Sequence, residues 1–159
     1  MQRPGWYGVL LCLLCTFGWT GCDANDPNNE VQVSILDIIV GEGALAEGNK
    51  FVTVEYTGRL VSGVVFDTSR EEGREPLSFQ LETGLVKDDP QGRQVIDGFI
   101  KGVPGMHVGG QRRITVPPQL AWGSRGAGCE LDNPDVCKIP PNSTLLFDIE
   151  LIGVSDAEL

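Results

Sequence analysis

The sequence predicts an α+β domain: an antiparallel, strongly twisted sheet of about five strands wrapped around one short helix. Three observations point there. From Val31 onward most segments alternate apolar and polar residues with the period of two that a half-buried strand requires. One segment, QVIDGFIKGVPGM, instead places Ile96, Phe99, Ile100 and Val103 at i, i+3, i+4 and i+7, which is one face of a helix. Turn-forming pairs, Ser62-Gly63, Pro104-Gly105 and Pro117-Pro118, punctuate the runs, and no internal repeat is present.

The N-terminus is built differently from the rest. Arg3 precedes the apolar run VLLCLLCTF (Val9 to Phe17), and small residues then lead to Cys22. A charged start, a short apolar core and a small-residue exit describe an export signal, and the run is too short to span a bilayer comfortably. The exit WTGC resembles the bacterial lipoprotein cleavage box, with Trp19 where leucine is usual. Residues 1–21 are therefore expected to be cleaved before Cys22, whose sulfur would carry a membrane lipid anchor. That places the protein in the bacterial cell envelope, in the periplasm or on the outer surface. Residues 22–30, with the polar stretch DANDPNNE, have nothing to bury and are expected to be a flexible tether. The domain proper spans 31–154 and a tail covers 155–159.

Within the domain the elements follow in order. FVTVEYTG puts Val52, Val54 and Tyr56 on one face of a strand, with Thr53 and Glu55 on the other. Ser62-Gly63 between RLV and VVF is a hairpin turn, because glycine supplies the positive φ such turns need. LSFQL alternates through Leu77, Phe79 and Leu81. The helix follows, with Asp97 near its N-terminus and Pro104-Gly105 ending it. About two turns are marginal alone, so this helix must pack on the sheet. RRITV stops at Pro117-Pro118, which cannot continue a ladder. STLLFDIELIGV aligns Leu145, Phe147, Ile149 and Leu151 and is the strongest strand signal in the chain. With no long amphipathic helix to dimerise through, a monomer is expected.

Charge and cysteine use narrow the function. With 22 acidic and 12 basic residues the formal net charge is -10, which argues against a nucleic-acid partner because phosphate binding needs concentrated Lys and Arg. Arg112-Arg113 is the only local basic pair and reads as solvated surface. Cys12 and Cys15 leave with the signal and Cys22 is the lipid site, so Cys129 and Cys137 remain in an oxidising compartment, and a disulfide is the default. A metal would need about four ligands, whereas only two sulfurs and the distant, sole histidine His107 are offered. His107 reads as surface, and Asn142 of the NST triplet reads as a turn after Pro140-Pro141. No metal and no cofactor are expected.

Three longer stretches carry a resemblance. VEYTGRLVSGVVFDTS, VIDGFIKGVPGMHVGGQRRITVPPQLAWG and IPPNSTLLFDIELIGV resemble, in this order, the FKBP-type peptidyl-prolyl cis-trans isomerases. The resemblance covers roughly residues 38–154. It implies catalysis of rotation about X-Pro bonds, a step with a barrier of about 18–20 kcal/mol in which no bond is made or broken. Amide resonance weakens when the carbonyl is desolvated and the imide is bound twisted. An apolar aromatic pocket with one or two hydrogen-bond donors therefore suffices.

Carried over by position, the resemblance implies a pocket lined by Tyr56, Phe66, Phe99, Trp122 and Phe147, with Val95, Ile96, Leu77 and Ile139 contacting substrate. Phe99 would form the floor, where the family has tryptophan. Asp67 would accept a hydrogen bond near the twisted carbonyl. Trp122 stands where the family has a tyrosine donor; its indole N–H donates but cannot accept. The backbone N–H of Ile96 would be the second donor. Leu77 replaces a family aromatic, ETGLVKDDPQGR between Leu81 and Gln94 is an insertion, and either Arg70 or Arg74 is the partner of Asp67. The loop bearing Cys129 and Cys137 corresponds to the family's flap over the pocket. Proline-containing polypeptide clients and macrolide inhibitors of the rapamycin type are the implied partners. A non-catalytic FKBP-like chaperone or binding module is the alternative.

Overall fold

The two segments with the cleanest alternation form the centre of the sheet. In the computed structural model, which describes residues 30–130 and 136–156, β2 (Phe51–Leu60) pairs antiparallel with β8 (Leu145–Ser155) along its whole length. Their inward residues, Val52, Val54 and Tyr56 with Leu145, Phe147, Ile149 and Leu151, are all buried. β5 (Gln111–Val116) lies on the far side of β8 and is edged by β1 (Ser34–Ile39). On the near side β2 is shared: β4 (Leu77–Gln80) pairs with its first half and β3 (Val65–Thr68) with its second. The order is β1-β5-β8-β2-β3, antiparallel throughout, with β4 beside β2. The export signal, Cys22, the tether up to Asn29 and residues 157–159 lie outside the described residues.

β1 is the strand that the alternation rule does not single out. Its residues SILDII are apolar on both sides of Asp37, and all six are exposed at the sheet edge. Two short strands, β6 (Ala127–Cys129) and β7 (Cys137–Ile139), form a separate ribbon in the loop before β8.

The helix, α1 (Asp97–Gly102), begins after an extended Ile96 and stops before a turn in which Gly105 takes φ 80°. It meets the sheet through Gly98, Phe99, Gly102 and Val103, while Ile96 and Ile100 are only half-buried. The close approach depends on glycine: a Cβ on Gly98 would lie 2.6 Å from Val116 Cγ1 of β5. With no side chain there, Phe99 reaches into the core, where it is 3% exposed.

One expectation is corrected here. Arg113 is a half-exposed residue paired with Asp148, but Arg112 is not solvated surface; it is 6% exposed. Its Nε donates to Asp37 at 2.5 Å, and one terminal nitrogen donates to the carbonyls of Gly102 and Pro104 at 2.9 and 3.0 Å. Neighbours on a strand point to opposite faces, so one member of an Arg-Arg pair had to face inward. It is tolerated because the last turn of α1 leaves carbonyls without intrahelical donors, and guanidinium offers five donors in a fixed fork. Arg112 thereby ties β1, β5 and the end of α1 together.

Candidate functional site

Between α1, β2, β3, β8 and the start of the β5–β8 loop lies a cavity of about 180 Å3. Tyr56, Phe66, Phe99, Trp122 and Phe147 give it aromatic walls, and Asp67, Leu77, Val95, Ile96 and Gln94 complete the lining. A cavity of about 150 Å3 takes up a benzene ring, so this one accommodates a single small ring with its adjoining amide.

The rings brace one another edge to face. Phe99 stands 5.7 Å from Tyr56 and 5.0 Å from Phe147, and Phe66 lies 5.6 Å from Phe147 and 6.1 Å from Trp122, centroid to centroid. The interplanar angles, 77° to 87°, are the T-shaped geometry that places a ring's positive edge on its neighbour's face. Phe79, behind Phe99 at 6.0 Å, fixes the floor from the core side.

Asp67 is the one charged residue of the lining. The Tyr56 hydroxyl donates to Asp67 at 2.5 Å, and Arg74 reaches the other carboxylate oxygen at 2.9 Å. The choice between two arginines thus falls on Arg74; Arg70 pairs with Glu150. Burial, and next the bond to Asp67, hold the Tyr56 phenol well above its ordinary pKa, so it remains a neutral donor through the neutral range. Ile96, also in the lining, ends the extended segment entering α1, and among the described residues its backbone N–H has no acceptor.

Ile139 is the one predicted wall residue not brought to the cavity. It sits on β7, 5% exposed, packed into the core. Gln94 is the lining residue that the sequence did not single out; its side-chain amide donates to the Thr83 carbonyl, which turns the residue just after the insertion into the rim. His107 is half-buried after α1, its ring Nδ1–H donating to the Gly43 carbonyl, and it takes no part in the cavity. Among the described residues no group of three or more His, Cys, Asp or Glu is placed to hold a metal ion, and no helix is long and apolar enough to cross a membrane. Asn142 adopts φ 57° in the turn before β8.

Cys129 and Cys137 are joined by a disulfide that closes the β6–β7 ribbon between Trp122 and β8. Neither sulfur is therefore available to a metal. Opening the bridge is expected to lower stability by about 2–3 kcal/mol in the chain-entropy picture of a loop this short. Denaturant midpoints of the wild type and of a Cys129→Ser, Cys137→Ser variant measure it; coincident midpoints would contradict the expectation.

Known proteins share this fold. Residues 43–152 match the sequence pattern of the FKBP-type peptidyl-prolyl cis-trans isomerase family. The chain is 42% identical over 122 residues to the chloroplastic peptidyl-prolyl cis-trans isomerase FKBP13 of Arabidopsis thaliana, covering 76% of this chain and 55% of that protein. It is 39% identical over 120 residues to the FK506-binding protein of Neisseria meningitidis, covering 76% of this chain and 94% of that protein. The crystal structure of Arabidopsis FKBP13 superposes with a TM-score of 0.62 at 38% identity, over 77% of this chain and 93% of that one.

Proposed function

The chain belongs to the FKBP-type peptidyl-prolyl cis-trans isomerases, and on that premise we propose that it accelerates X-Pro rotation by holding a proline ring in the 180 Å3 aromatic cavity. The observation that carries this reading is the contrast between the cavity's walls and its rim. Five rings present apolar surface to the imide, while Asp67, Trp122 and the Ile96 N–H border it. A planar X-Pro amide entering such a site loses its water, and water is what stabilises the charge-separated resonance form; the C–N bond then has less double-bond character. Rotation leaves the carbonyl out of conjugation, where the Ile96 N–H and the Trp122 indole are the available donors. Leu77, Val95 and Ile139 belong to the same reading, the first two as side walls and Ile139 as support for the stapled ribbon.

Asp67 is the polar residue with most at stake. Its carboxylate is held by Tyr56 and Arg74 and so is fixed in place before substrate arrives. Asp67→Ala is expected to lower kcat/KM by roughly tenfold or more, the worth of one charge-assisted hydrogen bond. A protease-coupled or NMR-exchange assay on X-Pro peptides, with circular dichroism as the check on folding, decides the matter. A folded wild-type protein without acceleration would remove the isomerase reading. An Asp67→Ala variant at wild-type kcat/KM would remove the assignment of Asp67. FK506- or rapamycin-type macrolides are expected to compete for the same cavity.

The setting is part of the proposal. Residues 1–21 act as an export signal, Cys22 carries the lipid, residues 22–30 tether the domain of 31–154, and the protein works as a monomer on envelope polypeptides. The charged-apolar-small order of the N-terminus supports this, as does a disulfide, which persists in oxidising compartments. Metabolic labelling with a fatty acid, lost on Cys22→Ser, tests the anchor.

A further inference from the structure

The cavity that would take the proline has a larger neighbour. A cleft of about 540 Å3 shares Tyr56 and Leu77 with it and continues past Pro76 between the β3–β4 loop and the insertion, where Val86, Lys87 and Asp88 line the far side. The insertion is anchored there by its backbone, which pairs Lys87 with Ser78 and Val86 with Arg93. Tyr56 and Leu77 line both cavities, so a polypeptide whose proline occupies the smaller one has a neighbouring residue within reach of the larger.

The groups facing that residue can be sorted by what they already bind. Arg74 is paired with Asp67, and the Ser69 and Ser78 hydroxyls bond Glu55 and Thr53. The Lys87 ammonium lies 5.8 Å from the centroid of the Phe51 ring. Glu75 and Asp88 are exposed, line the cleft, and among the described residues have no hydrogen-bond or ion-pair partner, so with Arg74 paired to Asp67 two free carboxylates stand against the single Lys87 ammonium. Asp88 is held with φ 56°, in the left-handed region that side chains other than glycine seldom adopt.

We propose that this cleft is a substrate subsite, built by the insertion, in which Glu75 and Asp88 receive a basic side chain flanking the isomerised proline. The proposal rests on the isomerase reading above and adds a preference that the aromatic cavity alone does not supply. Charge across a binding surface sets selectivity and encounter more than raw affinity, and each partly exposed pair is worth about a 1.4- to 5-fold effect.

The test is a set of X-Pro peptides with Lys, Glu or Leu placed before the X residue or after the proline, assayed at about 0.15 M salt, where fields decay within about 8 Å. The wild-type protein is expected to favour Lys over Glu at one of these positions. Glu75→Gln with Asp88→Asn is expected to reduce that ratio by roughly 2- to 25-fold while leaving the Leu peptide unchanged. Glu47→Gln with Asp156→Asn removes the same charge at positions outside the cleft and is expected to leave the ratio as it was. A wild-type ratio near one, or the same fall in both double variants, would overturn the subsite and leave the isomerase reading standing. Failure to turn over any peptide, Leu included, would overturn both.

Discussion

Truncating Phe99 to alanine is expected to remove most isomerase activity and about 3–5 kcal/mol of stability. Phe99 is 3% exposed and its ring meets Tyr56, Phe79 and Phe147 at 5.7, 6.0 and 5.0 Å, so three rings lose a packing partner at once. The void would open directly into the cavity, merging floor and pocket, so the collapse that limits the cost elsewhere would also deform the site. A domain of this size has about 5–15 kcal/mol in total, and the alanine variant should still fold at low temperature. Phe99→Leu separates the two effects: it keeps a buried apolar side chain, so its cost should fall well below that of alanine, but it removes the flat floor on which a proline ring stacks. Denaturant titration and kcat/KM on the same samples provide the readout. If Phe99→Leu matched the wild type in turnover, Phe99 would be a core residue and not the floor of the site.

How far the sequence foretells this arrangement depends on the kind of signal each residue carries. The buried sides of β2, β4 and β8 are legible because alternation is local and strong, and the helix is legible through Phe99 and Val103. β1 is not, because an edge strand exposed on both sides has no pattern to display. Arg112 departs from the surface expectation for a reason that alternation itself contains: the rule that turns one arginine outward turns the other inward, and only the three-dimensional position of Asp37 and of the helix carbonyls makes that inward place habitable. The choice of Arg74 over Arg70 depends on the path of the β3–β4 loop, which no period encodes. Ile139 belongs to a motif, and a motif reports that a residue matters without saying whether it faces the cavity or the core behind it. Gln94 carries no such signal, because a polar residue just after an insertion looks like any loop residue; its bond to Thr83 is what brings it to the rim.

Gly58 shows what a motif glycine contributes, and its replacement should be the most damaging small change in the sheet. A Cβ on Gly58 would lie 2.7 Å from Phe66 Cζ and 2.9 Å from Phe147 Cε1, closer than carbon atoms pack. Both rings are almost wholly buried, and Phe66 is already set edge-on against Trp122 as well as Phe147. The nearby free volume is the cavity itself, so relief of the clash moves a wall into the space meant for proline. Gly58→Ala is expected to cost about 1–3 kcal/mol through overpacking and to lower kcat/KM by roughly tenfold or more, the equivalent of about 1.4 kcal/mol of transition-state binding. Gly153→Ala, on the paired strand, is the control: its Cβ would meet Thr53 at an ordinary 3.5 Å and should change neither quantity much. Shortening the obstructing ring should relieve the strain, so Phe66→Leu combined with Gly58→Ala is expected to recover stability but not turnover, because the same ring is a wall of the site. Wild-type stability and turnover in Gly58→Ala would mean that Phe66 and Phe147 have room to move that the packing described here denies them.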